Sequence, residues 1–397
     1  MAVSTFGHLT SLTPEQQTKL RNLWSLLLEI FTKPSLTTRS DIINHLEIDP
    51  ANQYEIDQLN TALSDQTVEH LHTAFWQFVK HENPDAVVLR FLRARSWDAN
   101  KTLIMIISTL CWRRKFGVED LLEGGELAAT TNTDQGFIHQ FRIGKAYLHG
   151  FDREKRPVCI ISPRLHQSSD QSPESIEKLT VYTMETTRLL YQEPNDTSCM
   201  VFDMTGFSFY NMDYSAVRFI IDCLQSHYPE SLGECLIHNA PWVFRGIWRV
   251  IKAWLDPAVA SKIQFTYNAK DLSQFIKEAQ IPKFLGGKED WTYEYHEPSS
   301  DENSAITDRT MDELDEKRRV ENIRKDIIEK YEKATARWTK EELTTDMTGA
   351  GDERGQLVEG LKQNYWVLDK FVRARTYCDR TGILGIGGKV NFSSEKY

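Results

Sequence analysis

The chain has 397 residues, of which 40% are hydrophobic and 26% charged, and its formal net charge is −10 at pH 7. This length predicts two or three structural units, and the composition is typical of a soluble globular protein. Nonspecific binding to DNA or RNA needs a net basic surface, so the net negative charge argues against nucleic acid as a partner. A local basic patch that meets a membrane remains compatible with this total.

Six cysteines are dispersed along the chain, and no two are spaced as CxxC. This pattern predicts buried thiols in a reducing compartment, not a disulfide framework or a zinc site. The first residues show no basic start followed by an apolar run, and no stretch of about 18 apolar residues occurs. We therefore expect neither a signal peptide nor a membrane-spanning helix, and we expect a cytoplasmic protein.

Residues 1–125 are predicted to be helical. Thr13 begins a helix start signal with Pro at the next position and Gln three residues later, which is the pattern of a capping box. A second helix start is predicted near Asn83-Pro84-Asp85. Asp98 is the predicted N-cap of a further helix, and Gly117 is predicted to end it.

From about residue 137 the hydrophobic period changes to that of strands. Helical patterns separate the later strands, at 176–191, 214–227 and 241–255, and several strands are apolar throughout. Such strands are covered on both faces, so we expect an α/β fold with a mixed, largely parallel sheet of five to six strands. The predicted strands are 143–148, 158–162, 199–203, 235–238 and 263–267.

The C-terminal residues are predicted to form a charged helical extension. Residues 298–310 are polar and indicate a linker, a break is predicted at 348–355, and the tail after Gly382 is expected to be loose. A long helix at 311–342 is expected to dock by one apolar stripe. That stripe is Val320, Ile323, Ile327, Tyr331, Ala334 and Trp338.

Enzyme signatures are absent from the sequence. There is no GxSxG or HExxH motif, and the glycine-rich segment before Lys389 lacks both the first glycine and the Ser/Thr of a phosphate loop. The histidines show no ligand spacing. We therefore predict no catalytic residues and no metal site.

The segment 241–255 has apolar residues on most sides. On a helical wheel Arg245, Arg249 and Lys252 fall within about 60° of one another, and large apolar residues cover an opposite arc of about 160°. One interpretation is a helix that meets a lipid interface, and the other is a buried helix whose basic residues reach solvent. The apolar set is Phe244, Ile247, Trp248, Val250, Ile251, Trp254 and Leu255, with Trp242 beside the basic stripe.

The order of segments over about residues 80–295 resembles the CRAL-TRIO lipid-binding family, in its fungal phosphatidylinositol transfer group. Each motif is weak alone, but together and in order they are specific. They are Leu89-Arg-Phe-Leu-Arg-Ala-Arg95, Trp112-Arg-Arg-Lys-Phe116, Asp152 with Arg156-Pro157-Val158, Val201-Phe-Asp203-Met-Thr-Gly206, Tyr228-Pro-Glu230-Ser-Leu-Gly233, Asn239-Ala-Pro241-Trp, Leu255-Asp-Pro257 with Ser261-Lys262-Ile263, and Ile281-Pro-Lys-Phe-Leu-Gly286-Gly287.

The resemblance implies a helical N-terminal domain at 1–125, a lipid-binding domain at 126–297 and a C-terminal extension at 298–397. The sheet and its covering helices are then expected to form an apolar lipid pocket. The segment 241–255 is expected to be a gate helix that swings open at a membrane. Its apolar members are Trp242, Phe244, Ile247, Trp248, Ile251 and Trp254, and its membrane-facing basic members are Arg245, Arg249 and Lys252.

The resemblance also implies a phosphatidylinositol head-group site formed by Arg95, Glu230 and Lys262. Arg and Lys suit the phosphate, and a carboxylate suits the inositol hydroxyls. The chain departs from the family pattern at Val259, where the family has Thr, and at Ser96, where a Lys is frequent. The change at Val259 removes a hydroxyl donor to the phosphate, and the two changes together weaken, but do not cancel, the phosphatidylinositol interpretation.

A second-ligand pocket is expected at Ser198 and Met200. Phosphatidylcholine-binding members have Ser and Thr at these positions, and Met200 replaces the Thr hydroxyl with an apolar side chain. A sterol is therefore an alternative second ligand to phosphatidylcholine.

The leading hypothesis is a non-enzymatic phosphatidylinositol transfer protein that binds one lipid at a time, without other cofactors. Its partners would be the membrane surface, a phospholipid and lipid kinases, and it would associate peripherally with membranes from the cytoplasm. One alternative is a carrier or sensor of another apolar ligand such as a sterol. Another is a lipid-regulated adaptor that works through its C-terminal helices.

Overall fold

The computed structural model describes residues 7–32, 57, 59–60, 68–131, 134–299, 301–302, 309–341 and 350–392. Its contacts divide the chain into two units, Met1–Glu119 with Thr310–Asp369, and Asp120–Arg309 with Lys370–Tyr397. Division into three domains at 125 and 297 stays a prediction, and residues of the C-terminal extension fall in both units. Within the described residues, no helix combines the length and apolar character needed to cross a bilayer.

The helices and strands are numbered here in chain order. The helices are α1 (Pro14–Thr32), α2 (Val68–Val79), α3 (Pro84–Ala94), α4 (Ala99–Phe116), α5 (Val118–Thr131), α6 (Gln135–Arg142), α7 (Pro173–Leu189), α8 (Tyr214–Asp222), α9 (Phe244–Lys252), α10 (Pro257–Ser261), α11 (Ala269–Leu272), α12 (Met311–Trp338), α13 (Ala350–Val372) and α14 (Tyr377–Arg380). The strands are β1 (Ala146–Phe151), β2 (Pro157–Ile161), β3 (Ser198–Asp203), β4 (Leu232–His238) and β5 (Ile263–Thr266).

The predicted start and stop signals of the N-terminal helices are confirmed. Thr13 and Gln16 form a reciprocal capping box, with N···O distances of 3.0 and 3.2 Å. The side chains of Asn83 and Asp98 accept backbone N–H bonds at the starts of α3 and α4. Gly117 ends α4 in the left-handed conformation, at φ 76°.

The long charged helix α12 packs into the first unit by a stripe that differs in part from the predicted one. Val320, Tyr331 and Ala334 are buried as expected, but Ile323 is 48% exposed. Arg324 and Ile328 are buried instead. Arg324 and Ile328 each follow a predicted stripe residue by one position, so the buried stripe is rotated around the helix axis from the predicted one.

Buried polar contacts fix the C-terminal helices of the first unit. One carboxylate oxygen of Asp85 accepts hydrogen bonds from Trp24 at 2.6 Å, Tyr331 at 3.1 Å and Arg354 at 2.6 Å. Arg354 lies on α13, which begins at Ala350, so the break predicted at 348–355 does not extend beyond 349. Residues 348–349, and residues 300 and 303–308 of the predicted linker, lie outside the described part of the chain.

The second unit contains a five-stranded sheet in the order β1-β2-β3-β4-β5. β1 is antiparallel to β2, and the other pairs are parallel, so the predicted mixed, largely parallel sheet is confirmed. β1 begins at Ala146, three residues later than predicted, because Ile143 ends α6 and Gly144 turns the chain at φ 68°.

The two faces of the sheet have different neighbours. On one face Val158, Ile160, Val201 and Leu236 pack into a dense apolar cluster with residues of the 272–285 segment. On the other face the alternate side chains, among them Met200, belong to a cluster that contains α9 residues. This second face carries the cavity described below.

The C-terminal residues of the second unit are held by a buried ion pair. Arg380 on α14 donates to Glu126, and Glu126 also accepts hydrogen bonds from Tyr295 Oη at 2.7 Å and Tyr377 N at 2.9 Å. Beyond Gly382 the chain continues to hydrogen-bond, from Asn391 N to Ile383 O at 2.8 Å. The prediction of a loose tail after Gly382 is therefore wrong through residue 392.

Replacing Arg380 by Met leaves the Glu126 carboxylate buried without its cation. We expect the free energy of unfolding to fall by about 3–5 kcal/mol, as measured by urea denaturation. The control is Arg318→Met, because Arg318 makes an exposed pair with Asp315 on α12 and its loss costs roughly 0–1 kcal/mol. If both substitutions lower the free energy of unfolding by the same small amount, the Arg380–Glu126 pair does not stabilise the second unit as described.

Candidate functional site

A cavity in the second unit lies between the sheet and helices α7, α8 and α9. It encloses about 210 Å³, many times the roughly 10–15 Å³ that one water molecule needs. Most of its lining is apolar. The lining includes Met184 on α7, Val217, Ile220 and Ile221 on α8, Met200 and Phe202 on β3, Cys235 and Ile237 on β4, and Phe244, Trp248 and Ile251 on α9.

Helix α9 covers this cavity and is shorter than predicted. It runs over nine residues, because Trp242 and Val243 form a turn before it and Ala253 and Trp254 form a turn after it. Phe244, Ile247 and Ile251 are buried. Trp242 is 83% exposed.

The outer face of α9 is basic. Arg245, Arg249 and Lys252 are exposed, as their wheel positions predict. Val250, expected on the opposite apolar arc, is instead 43% exposed. Trp248 and Trp254 are half-buried. The helix thus presents apolar side chains to the cavity and three cations, with apolar neighbours, to solvent.

Aromatic contacts hold α9 against three neighbouring elements. Phe244 meets Phe207 at 5.8 Å between ring centroids, and Trp248 meets Phe265 of β5 at 5.2 Å. Trp254 meets Tyr214 of α8 at 5.8 Å. These edge-to-face contacts are each worth about 0.5–1.5 kcal/mol beyond area burial, so they stabilise the covering position of the helix.

The connection from β4 to α9 has an unusual backbone conformation. Asn239 has φ 53°, and its side chain donates to Thr205 Oγ1 at 3.2 Å. Its backbone N–H donates to Thr266 O at 2.8 Å. A residue in the left-handed region at the base of a covering helix is a suitable position for a hinge.

Glu230 and Lys262, two residues of the predicted head-group site, lie together beside the N-terminal ends of β4 and β5. Lys262 Nζ is 2.9 Å from Glu230 Oε2, and both side chains are 22% exposed. Glu230 adopts φ 53°, which a non-glycine residue rarely does. The pair leaves further donors of the ammonium group, and one further carboxylate oxygen, open to additional contacts.

The turns that carry this pair are fixed by hydrogen bonds. Tyr228, two residues before Glu230, donates through Oη to the buried Glu185 at 2.8 Å. Asp256 caps α10 by accepting from Val259 N at 2.7 Å. The Val259 side chain lines the cavity. The position where the family has a Thr hydroxyl is thus apolar and faces the cavity here.

The remaining predicted site residues are placed as follows. Arg95 is the C-cap of α3 in the first unit, is half-buried, and donates to the Ala94 carbonyl at 3.2 Å. Met200 lines the cavity. Ser198 is buried at the start of β3, where its hydroxyl lies 3.4 Å from Ser231 O. The role of these residues in binding a ligand stays a prediction.

A polar cluster within the cavity lining was not predicted from the sequence. Lys145, His166 and Asp213 line the cavity near the C-terminal ends of β2 and β3, together with Gln140 and Asn211. Lys145 and His166 are 5% and 8% exposed. The signal in the sequence was a lysine inside the predicted strand 143–148, whose other residues are uncharged.

The described part of the chain holds no group of three or more His, Cys, Asp or Glu residues arranged for a metal. All six cysteines are free and buried. Burial raises the pKa of the cavity-lining Cys159 and Cys235 thiols to about 12. Such thiols are protonated at neutral pH and behave as small apolar groups.

Comparisons with known proteins agree with this architecture. A model of the CRAL/TRIO domain matches residues 141–287, and a model of the CRAL/TRIO N-terminal domain matches residues 55–108. A CRAL-TRIO domain-containing protein of Schizosaccharomyces pombe is 41% identical over 85% of this chain and 74% of the relative. Phosphatidylinositol transfer protein CSR1 of Eremothecium gossypii is 39% identical over 79% of this chain and 71% of the relative.

Among solved structures, the crystal structure of Sfh5 is similar to this chain, with a TM-score of 0.48 and 18% identity. The match covers 70% of this chain and 89% of that chain.

Filling the cavity tests whether it is the binding space. Ala216 on α8 lines the cavity, whereas Ser215 beside it is exposed. We expect Ala216→Phe to lower the affinity for a fluorescent phospholipid by at least about tenfold, because the ring displaces the ligand from a space that is otherwise open. Ser215→Phe is the matched control and should bind normally. If a folded Ala216→Phe variant binds the phospholipid with unchanged affinity, the ligand binds outside this cavity.

Proposed function

Because the chain belongs to the CRAL-TRIO family, we propose that it is a phosphatidylinositol transfer protein that carries one lipid at a time. The observation that supports this most is the apolar cavity with a cation–carboxylate pair beside one end, formed by Lys262 and Glu230. A relative that is 39% identical is named a phosphatidylinositol transfer protein, and the chain covers 71% of it.

The physical basis of transfer is burial of acyl chains. Each buried CH₂ group contributes about 0.8 kcal/mol, so a two-chain lipid cannot leave the cavity into water at a useful rate. Release must occur where the chains pass directly into a bilayer. The protein therefore needs a covering element that opens at a membrane surface.

We assign this role to α9. In its covering position Phe244, Ile247 and Ile251 are turned inward. Outside, the exposed Trp242 suits a bilayer interface, and the basic residues of the outer face suit anionic lipid head groups. Movement about Asn239 would turn the apolar face of α9 from the cavity to the acyl region without leaving it in water.

The head group is assigned to Arg95, Glu230 and Lys262. The two cations suit a phosphate, and the carboxylate suits inositol hydroxyls. Lys262 is paired with Glu230, so the incoming phosphate would share the ammonium group. Val259 supplies no hydroxyl, so the phosphate contact depends more on the charged residues than in family members with Thr.

A sterol is the second candidate ligand. Met200 and Val259 present apolar surface to the cavity at two positions where phospholipid-binding relatives have hydroxyl groups. This change favours a ligand with fewer polar atoms. For either ligand we propose that the protein associates peripherally with membranes from the cytoplasm. If the ligand is phosphatidylinositol, we propose that lipid kinases receive it.

Removing both predicted phosphate-binding cations tests the head-group assignment. We expect the Arg95→Ala/Lys262→Ala variant to transfer phosphatidylinositol between vesicles at least about a hundredfold more slowly, since charged hydrogen bonds contribute about 1.5–3 kcal/mol each. Lys288→Ala is the control, because Lys288 forms an exposed pair with Glu278. If the double variant folds and transfers at the normal rate, the three-residue site is wrong.

Removing the cations of α9 tests membrane docking. In Arg245→Ala/Arg249→Ala/Lys252→Ala we expect binding to vesicles containing anionic lipid to weaken roughly fivefold for each residue removed, or about 1 kcal/mol each. Phospholipid binding in detergent should not change. The variant Lys270→Ala/Lys277→Ala/Lys288→Ala removes the same charge from other exposed positions. An equal loss in both triple variants would indicate a general charge effect and contradict a docking role for α9.

A further inference from the structure

The cavity has polar residues at the end opposite the Glu230–Lys262 pair. Lys262 directly precedes β5, whereas His166 and Asp213 follow the C-terminal ends of β2 and β3. β1 is antiparallel to β2 with Ala146 opposite Ile161, so Lys145 also lies at this C-terminal edge. A strand rises about 3.3 Å per residue, so the two polar ends are separated by roughly 16 Å along β3.

Lys145 is a buried cation whose direct partners are neutral. Its Nζ donates to Gln171 Oε1 at 2.7 Å and to Gln140 Oε1 at 3.2 Å. An ammonium group has three N–H donors, so one remains after these bonds. Within the described residues no carboxylate lies within 4.0 Å of Lys145 Nζ. Asp170 and Asp213 act on it only from a longer range.

His166 beside it has an unsatisfied ring nitrogen. Its Nε2 is buried and makes no hydrogen bond to any residue that the structure describes, although Asp213 Oδ2 is 3.5 Å away. The backbone is held in place by Asn211, which donates to the His166 carbonyl at 3.0 Å. Asp213 caps α8 through Oδ1, and its Oδ2 is the carboxylate oxygen that lies near His166 Nε2.

We propose that Lys145 and His166 form a second binding site at this end of the cavity, which takes the carboxylate of a long-chain fatty acid. One carboxylate oxygen accepts the remaining N–H of Lys145, and the other accepts from His166 Nε2. The acyl chain extends through the apolar lining toward Val259. This inference rests on the proposed function in one respect, that the cavity holds a lipid.

The charge balance favours a carboxylate over a hydroxyl group. A buried cation without an anion in contact carries a desolvation cost, and a carboxylate offsets that cost whereas a sterol hydroxyl does not. A phosphate monoester carries close to two negative charges. A single lysine beside the carboxylate of Asp213 balances two negative charges less well than it balances one. The distribution of polar groups also fits, because a fatty acid is apolar except at its carboxylate end.

The test compares an acid with its ester. A fluorescent polyene fatty acid and its methyl ester are titrated into the full-length protein and into Lys145→Met and Lys145→Arg variants. We expect the wild type to bind the acid ten- to a hundredfold more tightly than the ester. Lys145→Met should bind both equally, at the affinity of the ester, and Lys145→Arg should recover most of the preference.

Each other outcome overturns a defined part of the inference. Equal binding of acid and ester by the wild type, or tighter binding of lysophosphatidic acid or of a sterol in competition, overturns the carboxylate assignment alone. Equal loss of acid and ester binding in Lys145→Met means that the residue is only structural. If neither ligand enters the wild type, and phosphatidylinositol transfer is also absent, the proposed function itself fails.

The pH dependence gives a second readout. Burial lowers the pKa of Lys145 to about 8, with Asp170 and Asp213 opposing the shift. Burial lowers the pKa of the neighbouring His166 as well. The cationic form of Lys145 is therefore present below pH 8 and lost above it. Acid binding should weaken tenfold or more between pH 7 and pH 10, whereas ester binding should stay constant.

Discussion

The apolar cavity beneath α9 is the constraint on which the rest of the second unit depends. Protein interiors are normally close-packed, and an empty cavity costs about 24 cal/mol per Å³. For about 210 Å³ this is on the order of 5 kcal/mol, comparable with the whole stability of many domains. Under the proposed function, an apolar ligand in the cavity would offset this cost. In that proposal, the position of α9, the aromatic contacts that hold it and the left-handed backbone of Asn239 serve to enclose the ligand.

Polar residues lie at both ends of the strands that line the cavity, and the two groups differ in exposure. At the N-terminal edge Glu230 and Lys262 form a partly exposed pair, which suits a head group that remains near water. At the C-terminal edge Lys145 and His166 are more than nine-tenths buried, which suits a single polar group enclosed by the protein. The apolar lining between them accepts chains from either direction. The two proposed sites would let the same cavity take an amphipathic ligand in either of two orientations.

Much of the fold could be predicted from the sequence, because local signals and packing agree there. The caps at Thr13, Asn83 and Asp98 and the apolar parallel strands are examples. Two predictions failed because they depend on tertiary contacts. Ile323 is exposed because the buried stripe of α12 is rotated, and residues 383–392 are held by contacts such as those of Leu384 with Cys378 and of Gly388 with Gln192. The helical wheel correctly predicted that the cations of α9 lie on its outer face. It did not predict that Val250 is exposed as well. Lys145 and His166 were missed because only folding brings β1 beside the end of β2.

The most direct test of the account is to identify the lipid that the protein carries. The full chain is purified from a eukaryotic host without added detergent, extracted with organic solvent, and the extract is analysed by mass spectrometry. The account predicts close to one phosphatidylinositol per protein. A protein that emerges folded with its cavity free of lipid, or filled with a ligand other than phosphatidylinositol, would contradict it.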